Sequence, residues 1–171
     1  MKKYKVMDEK NTYIDSTVQI GENTIIYPGV SLRGNCVIGD NNIIDSYTII
    51  EDSVIGSNNK IGPSAHIHSN SQIGSNNVIG NFVEIKSSIL QDDIKVKHLS
   101  YVGDALIHSH CNIGAGVVFA NYNGFGAKKE KTELFEYVFI GSNSVLVAPL
   151  KIKENSVVAA SSTITEDIPP F

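Results

Sequence analysis

The amino-acid sequence predicts an all-β fold, a parallel β-helix built from six-residue repeats. An apolar residue, aliphatic at all but one position, recurs at this period over most of the chain, with three short steps and one longer gap. Glycine often follows this residue, and a smaller residue lies four positions after it. Such a period fits short straight segments between Gly- and Asn-rich corners, and neither a helical stripe nor a long alternating strand. The repeat positions are Ile14, Ile20, Ile26, Leu32, Ile38, Ile44, Ile50, Ile55, Ile61, Ile67, Ile73, Ile79, Ile85, Leu90, Val96, Val102, Ile107, Ile113, Phe119, Leu134, Ile140, Leu146, Ile152, Val158 and Ile164.

The repeat also predicts the organisation of the chain. Three segments complete one coil, so 25 segments make about eight coils. We expect a single domain over residues 1–171, with a lead-in at 1–12, the coils at 13–165 and a tail at 166–171, because this length suits one domain. Flat β faces invite side-by-side association, which favours a closed homo-oligomer.

Composition excludes several classes of protein. The net charge of −4 leaves no basic footprint for nucleic acid, and no apolar run is long enough to span a membrane. The first residues lack the apolar stretch of a signal peptide, so we expect a cytoplasmic location. Cys36 and Cys111 fit no zinc motif and fall on small inward positions, which predicts packed core residues. Among 14 basic residues only Arg33 is an arginine, so an anion site must use Lys, His or backbone N–H groups.

The largest departure from the repeat lies between Phe119 and Leu134. The intervening residues must leave the helix as an exposed loop near residues 120–133. It contains the turn residues Asn123, Gly124 and Gly126 and the lysines Lys128, Lys129 and Lys131. The loop is either a solvated charged loop or a group of lysines that meets an anionic substrate or coenzyme.

The histidines form the second group of candidates. His98 lies two residues past inward Val96, near a corner, and Tyr101 should face outward. His66 and His68 flank inward Ile67, and a second His-x-His pair, His108 and His110, is expected to be placed similarly around Ile107. Adjacent outward residues on a strand can chelate a metal. No acidic or further histidine spacing completes either set within one chain, so we predict no metal.

Residues 80–165 carry a dense set of motifs in order: GNFVEIKSS, KHLSYVGDA, NIGAG, NYNG, KKEKT, FIGSNSVLVAP and VVAASSTIT. They resemble the acetyltransferase domain of the bacterial bifunctional N-acetylglucosamine-1-phosphate uridyltransferase/glucosamine-1-phosphate acetyltransferase. The resemblance implies a left-handed coil, a homotrimer with sites between chains, and acetyl transfer from acetyl-CoA to an amino sugar.

The resemblance also implies roles for individual residues. His98 matches the general base that takes a proton from the attacking sugar amine, a task that suits an imidazole near neutral pH. Matches to the groups that hold the sugar phosphate and orient the amine are Lys86, Tyr101 and Asn112, with Lys129 as the loop lysine supplied by a neighbouring chain. Matches to the acetyl-CoA contacts are Ala115, Asn121, Tyr122, Ser142 and Ala160.

Three departures from the family pattern bear on the substrate. His68 stands where the family has an arginine that clamps the sugar phosphate, and losing that charge-assisted contact costs about 1.5–3 kcal/mol of phosphate binding. The sequence ends at Phe171, before the family's coenzyme-binding tail, and contains no Gly-rich nucleotide loop for uridylyl transfer.

The leading hypothesis is an acetyl-CoA-dependent N-acetyltransferase acting on an amino sugar such as glucosamine 1-phosphate. Three alternatives stay open. They are acylation of a nucleotide-linked amino sugar, a metal-dependent hydratase of the γ-carbonic-anhydrase type, and a non-catalytic β-helix scaffold.

Overall fold

A computed structural model describes residues 3–124 and 128–171. Over these residues the chain forms 26 short strands and one 3₁₀ helix, Glu9–Asn11. In chain order the strands are β1 (Lys5–Val6), β2 (Tyr13–Ile14), β3 (Gln19–Ile20), β4 (Ile25–Ile26), β5 (Ser31–Arg33), β6 (Val37–Ile38), β7 (Ile43–Ile44), β8 (Ile49–Glu51), β9 (Val54–Ile55), β10 (Lys60–Ile61), β11 (His66–His68), β12 (Gln72–Ile73), β13 (Val78–Asn81), β14 (Glu84–Lys86), β15 (Ile89–Leu90), β16 (Lys95–His98), β17 (Tyr101–Gly103), β18 (Ala105–Ile107), β19 (Asn112–Ile113), β20 (Val118–Ala120), β21 (Thr132–Leu134), β22 (Phe139–Ile140), β23 (Val145–Val147), β24 (Leu150–Ile152), β25 (Val157–Val158) and β26 (Thr163–Ile164).

Every third strand belongs to the same parallel sheet, so the chain winds around three faces. Sheet 1 runs from β1 through β4 and β16 to β25, sheet 2 from β2 through β11 and β14 to β26, and sheet 3 from β3 to β24. The sheets have nine, nine and eight strands among the described residues, compared with the eight coils expected. The ninth strand of sheet 1 is β1, which pairs with Ile25–Ile26 although Val6 lies outside the repeat series, whereas all nine strands of sheet 2 are repeat strands.

The repeat residues form the core. Each of the 25 positions lies in a strand of its own, β2 to β26. All are buried except Ile14, Ile20 and Ile164, which lie in the outermost coils and pack against the rest. Full burial of one such side chain stabilises the fold by about 1.5–3 kcal/mol.

Asparagine explains how the corners stack. The backbone N–H of Asn59 donates to Asn42 Oδ1 at 2.8 Å, and that of Asn77 donates to Asn59 Oδ1 at 2.8 Å. These three side chains are buried, so each polar group finds a partner in the next coil. The residue before each of them has a φ of 56° to 61°, which asparagine tolerates better than most residues.

The loop leaves the helix where the repeat fails. β20 ends at Ala120, β21 begins at Thr132, and the backbone N–H of Glu130 donates to the Asn121 carbonyl at 3.0 Å. Gly126, expected at a turn, lies outside the described residues.

Both cysteines are buried and unpaired, as the small inward positions predict. Burial raises the pKa of the Cys36 thiol, and it raises the pKa of Cys111 to about 11. A protonated thiol is a poor nucleophile, so these residues act as core side chains. In the described ranges, no helix has the length and apolar character needed to cross a membrane.

Candidate active site

The outer face of sheet 2 carries three of the residues predicted to bind substrate. His68, Lys86 and Tyr101 lie on the consecutive strands β11, β14 and β17. His68 is in register with Lys86, and Tyr101 is in register with Glu84. All four alternate with the buried repeat residues of their strands, so they point away from the core.

His98 lies at the edge between sheets 1 and 2. It is exposed, ends β16 and is in register with Asn81 of β13. His98 Nδ1 is 2.9 Å from Asn81 Oδ1. Because an amide oxygen only accepts, this contact places the proton on Nδ1 and leaves Nε2 as a basic nitrogen. A cavity of about 320 Å³, lined by both side chains and by Gly80 and Lys97, lies beside them.

Three of the predicted coenzyme residues continue this edge in one row. The same backbone hydrogen bond links each member of the row to the next. For example, the N–H of Leu99, which follows His98 in the chain, donates to the carbonyl of Asn81. The members of the row, in order, are Asn81, His98, Ala115, Ser142 and Ala160.

Small residues bring the coils of this edge close together. A Cβ on Gly141 would lie 2.4 Å from the Ala160 nitrogen, and one on Gly114 would lie 2.5 Å from the Ser142 nitrogen. Only glycine allows this approach. The result is an edge at which the backbones of successive coils lie very close together.

The opposite edge of sheet 2 holds the remaining residues predicted to contact the coenzyme, and the loop lysine. Asn121 is buried, and its Nδ2 donates to Asp104 Oδ2 at 2.5 Å and to the Tyr101 hydroxyl at 3.2 Å. Lys129 Nζ lies 3.9 Å from the same Asp104 oxygen. Tyr122 is exposed at the base of the loop. Asp104 therefore ties the loop base to sheet 2, a role that the sequence analysis missed.

One chain does not bring all the predicted residues together. Asn112 begins β19 on sheet 1, in register with Lys95, whereas His98 lies three residues further along β16. At about 3.3 Å per residue, three residues separate these side chains by roughly 10 Å along the sheet. The His98 row and the pair Asn121 and Lys129 lie at opposite edges of sheet 2, so the length of its strands separates them.

A cluster of two histidines and two glutamates occupies sheet 2 beside Lys86. His66 Nε2 lies 2.9 Å from Glu51 Oε2, and His68 Nε2 lies 3.1 Å from Glu84 Oε1. The bond from His66 lowers the pKa of the Glu51 carboxyl. The expectation that no acidic residue completes this pair within one chain is wrong. Glu51 lies one coil below the histidines and Glu84 lies one coil above them. Their spacing from the histidines, one coil length in the sequence, is the signal that predicts this contact.

The second histidine pair is arranged differently. His108 and His110 do not flank Ile107 as expected, because both follow it at the corner after β18. His108 stacks on Phe135 and His110 stacks on Tyr137.

Comparison with known proteins supports the motif resemblance. The chain is 44% identical over 180 residues to the bifunctional protein GlmU of Alkaliphilus metalliredigens and to that of Clostridioides difficile. These alignments cover 95% and 96% of this chain, which spans 39% of the length of each relative. The predicted resemblance is thereby confirmed.

Solved structures support the fold. LpxA of Bacteroides fragilis, a UDP-N-acetylglucosamine acyltransferase, matches with a TM-score of 0.85 and 26% identity, covering 96% of this chain and 69% of that chain. The UDP-N-acetylglucosamine acyltransferase of Francisella novicida has the same TM-score at 21% identity, with coverages of 95% and 64%, and shows the fold alone. The predicted left-handed parallel β-helix with one extruded loop is confirmed.

A family model described as the GMPPB C-terminal domain matches residues 4–71 and, in a second overlapping match, residues 57–167. Two overlapping matches are what a repeated sequence produces, and together they span most of the chain. The chain belongs to the family of the GMPPB C-terminal domain.

Proposed function

We propose that this chain is an acyltransferase that moves the acetyl group of acetyl-CoA to the amine of an amino sugar, such as glucosamine 1-phosphate. The observation that carries the proposal is the row that joins His98, its partner Asn81 and the three small residues expected to contact the coenzyme. The identity with GlmU proteins and the likeness to LpxA support the same reaction class.

The geometry suits proton transfer during attack on a thioester. The sugar amine adds to the thioester carbonyl carbon while His98 Nε2 accepts a proton from it. The C–S bond then breaks, the acetyl group remains on nitrogen, and coenzyme A leaves as a thiolate that recovers the proton. The backbone N–H of Ala115 is the candidate oxyanion donor, because those of Gly114 and Gly116 already donate to the carbonyls of Ile140 and His98.

The substrate residues divide between two kinds of contact. Lys86 and Lys129 supply positive charge, while Tyr101 and Asn112 supply directional hydrogen bonds. His68 contributes less to such bonding, because Ser69 already holds its Nδ1. Glu84 bonds to His68. A carboxylate at this position weakens the attraction for any anionic group on the acceptor sugar.

The proposal includes a homotrimer with sites between chains, in the cytoplasm. Two observations support the assembly. The predicted residues lie in groups that one chain keeps apart, so a neighbouring chain is needed to complete a site. Sheet 3 also presents the exposed apolar residues Val37, Val54 and Ile89, which suit contact with another chain.

The test is a coenzyme-release assay with acetyl-CoA and a panel of amino sugars that includes glucosamine 1-phosphate and nucleotide-linked amino sugars. We expect thiol release with at least one acceptor, and a fall in kcat of about 100-fold or more in His98→Ala. His110→Ala, which removes an exposed histidine at another corner, is the matched control and should retain full activity. Absence of release with every acceptor, or an active His98→Ala protein with intact circular dichroism, would contradict the proposal.

A further inference from the structure

The cluster on sheet 2 has the composition and spacing of a metal site. His66, His68 and Glu84 each offer one ligand atom, and these atoms lie within 4.8 Å of one another. In the described part of the chain this is the only such group of three. The 3.1 Å between His68 Nε2 and Glu84 Oε1 is close to the spacing of roughly 3.3 Å between neighbouring ligands on a tetrahedral zinc ion with bonds of 2.0–2.1 Å.

The backbone holds the ligands in place. His66 and His68 are at positions i and i+2 of β11, so both leave the same face of the sheet, and Glu84 comes from β14 directly above. Ile67 between them and Ile85 beside Glu84 are fully buried, which anchors both strands. The backbone therefore brings the three ligand atoms close together, and the two stacked rings turn out of their parallel arrangement to share one ion.

The electrostatics of the cluster favour a shared cation. The two imidazole rings stack at 4.2 Å between centroids and 14° between planes, while each faces a carboxylate. One divalent ion bound by both rings would face the negative charge of Glu51 and Glu84.

Both histidines also have the outer partners that metal ligands use. Ser69 Oγ lies 2.9 Å from His68 Nδ1, so Nε2 is left as the ligand atom. Glu51 lies beside His66 and is itself bonded through its other oxygen to Arg33 at 3.4 Å. Such contacts orient the rings of metal-binding histidines and raise their basicity. The side chain of His68 is 16% exposed and that of Glu84 is 44% exposed, so the site is sheltered on one side and open on the other.

We propose that His66, His68 and Glu84 bind a divalent transition-metal ion of the zinc type, with Glu51 as the outer partner of His66. Two imidazoles and one carboxylate are a donor set typical of Zn²⁺ with an open coordination position. That position faces the surface beside Lys86, where an anionic oxygen of a small molecule can bind. The proposal goes beyond the proposed function and holds whether or not the chain transfers acyl groups.

The test is a titration of chelator-treated, full-length protein with Zn²⁺ in metal-free buffer, followed by calorimetry. We expect one Zn²⁺ per chain, and a loss of affinity of about 100-fold or more in His68→Ala, because that variant lacks a direct ligand. Glu84→Gln, which keeps the shape of the side chain, should bind at least tenfold more weakly. Co²⁺ in place of Zn²⁺ should give the visible absorption of a low-coordinate site.

The matched control is His110→Ala, which removes a histidine of the other His-x-His pair and should leave Zn²⁺ affinity unchanged. Circular dichroism shows which variants keep the β-helix, and the isosteric Glu84→Gln retains a readout if His68→Ala fails to fold. Absence of binding in the parent protein, unchanged affinity in Glu84→Gln, or an equal loss in His110→Ala overturns the proposal. The coenzyme-release assay is separate, so a chain that binds Zn²⁺ but transfers no acetyl group counts against the proposed function alone.

Discussion

Two regions of the molecule carry the same His-x-His spacing and use it differently. His66 and His68 both lie within β11, and their rings stack on each other. His108 and His110 lie beyond β18, and His110 has a φ of 65°, in the left-handed region. The rings of this second pair separate, one to Phe135 and the other to Tyr137.

The comparison shows that a His-x-His pair can chelate a metal ion only where the backbone holds both side chains on one face. Residues i and i+2 share a face only while the chain is extended. At a corner the backbone turns, and each ring finds a different neighbour in the next coil. In the described residues, the corner pair accordingly forms no group of three ligand atoms, although Glu133 lies 3.1 Å from His108.

The largest expected effect comes from the residue between the histidines. Ile67 is fully buried, whereas Ser109 at the same place in the corner pair is partly exposed. Ile67→Ala should lower the free energy of unfolding by about 2–5 kcal/mol, because it leaves a cavity between two coils. Ser109→Ala should cost less than about 1 kcal/mol, since the two side-chain bonds that it removes are long, at 3.3 Å and 3.4 Å. Chemical denaturation measures both, and similar losses would show that the two motifs are anchored alike.

The fold could be predicted from the sequence because one physical signal repeats in every coil. The inward residue of each segment must be apolar and must recur at the length of the segment, so the strands that carry these residues follow directly. The strand that contains Val6 was not predicted, because the distance from Val6 to Ile14 does not match the six-residue period. Its pairing depends on the chain folding back onto Ile25–Ile26, a tertiary contact that no local pattern carries.

The site could be predicted only in part, for a related reason. The alternation of strand residues places His68, Lys86 and Tyr101 outward, but neighbours between coils depend on the sum of the step lengths. Glu84 is in register with His66, one full coil away, yet its hydrogen bond goes to His68, a diagonal choice made by side-chain rotamers. At the corner pair, the inserted loop lengthens the coil between β18 and β21. The contact of Glu133 with His108 therefore does not follow from the ordinary coil length.

A smaller effect is expected at the residue that ends each motif. The small inward position four residues after Ile67 is Ser71, and four residues after Ile107 it is Cys111. Burial raises the pKa of Cys111 from 9.0 to about 11, so the folded state favours the protonated thiol. The stabilisation is complete below pH 9 and is lost as the pH rises through about 11, with about 1 kcal/mol gone by pH 10.

The measurement is the free energy of unfolding from pH 8 to pH 10.5 under reducing conditions, compared between the parent protein and Cys111→Ala. Other titrating groups contribute to both curves, so the difference between them isolates the thiol. We expect the parent curve to fall more steeply above pH 9. Parallel curves would contradict the assignment of a raised pKa to Cys111.

The smallest effect on stability sharpens the comparison most directly. Tyr137 is 59% exposed, and its ring stacks on His110 at 4.7 Å between centroids. Tyr137→Ala should cost only about 0.5 kcal/mol, since one exposed ring contact is removed. If ring stacking alone kept the corner pair apart, the variant would gain a Zn²⁺ site. If the backbone turn keeps it apart, as the φ of His110 indicates, no site forms.

The experiment combines Tyr137→Ala with His68→Ala, which removes the strand site, and titrates the double variant with Zn²⁺. We expect no binding, because His110 still leaves the corner in a different direction from His108. Stoichiometric binding would instead show that neighbouring rings, rather than the turn, decide which His-x-His pair can chelate.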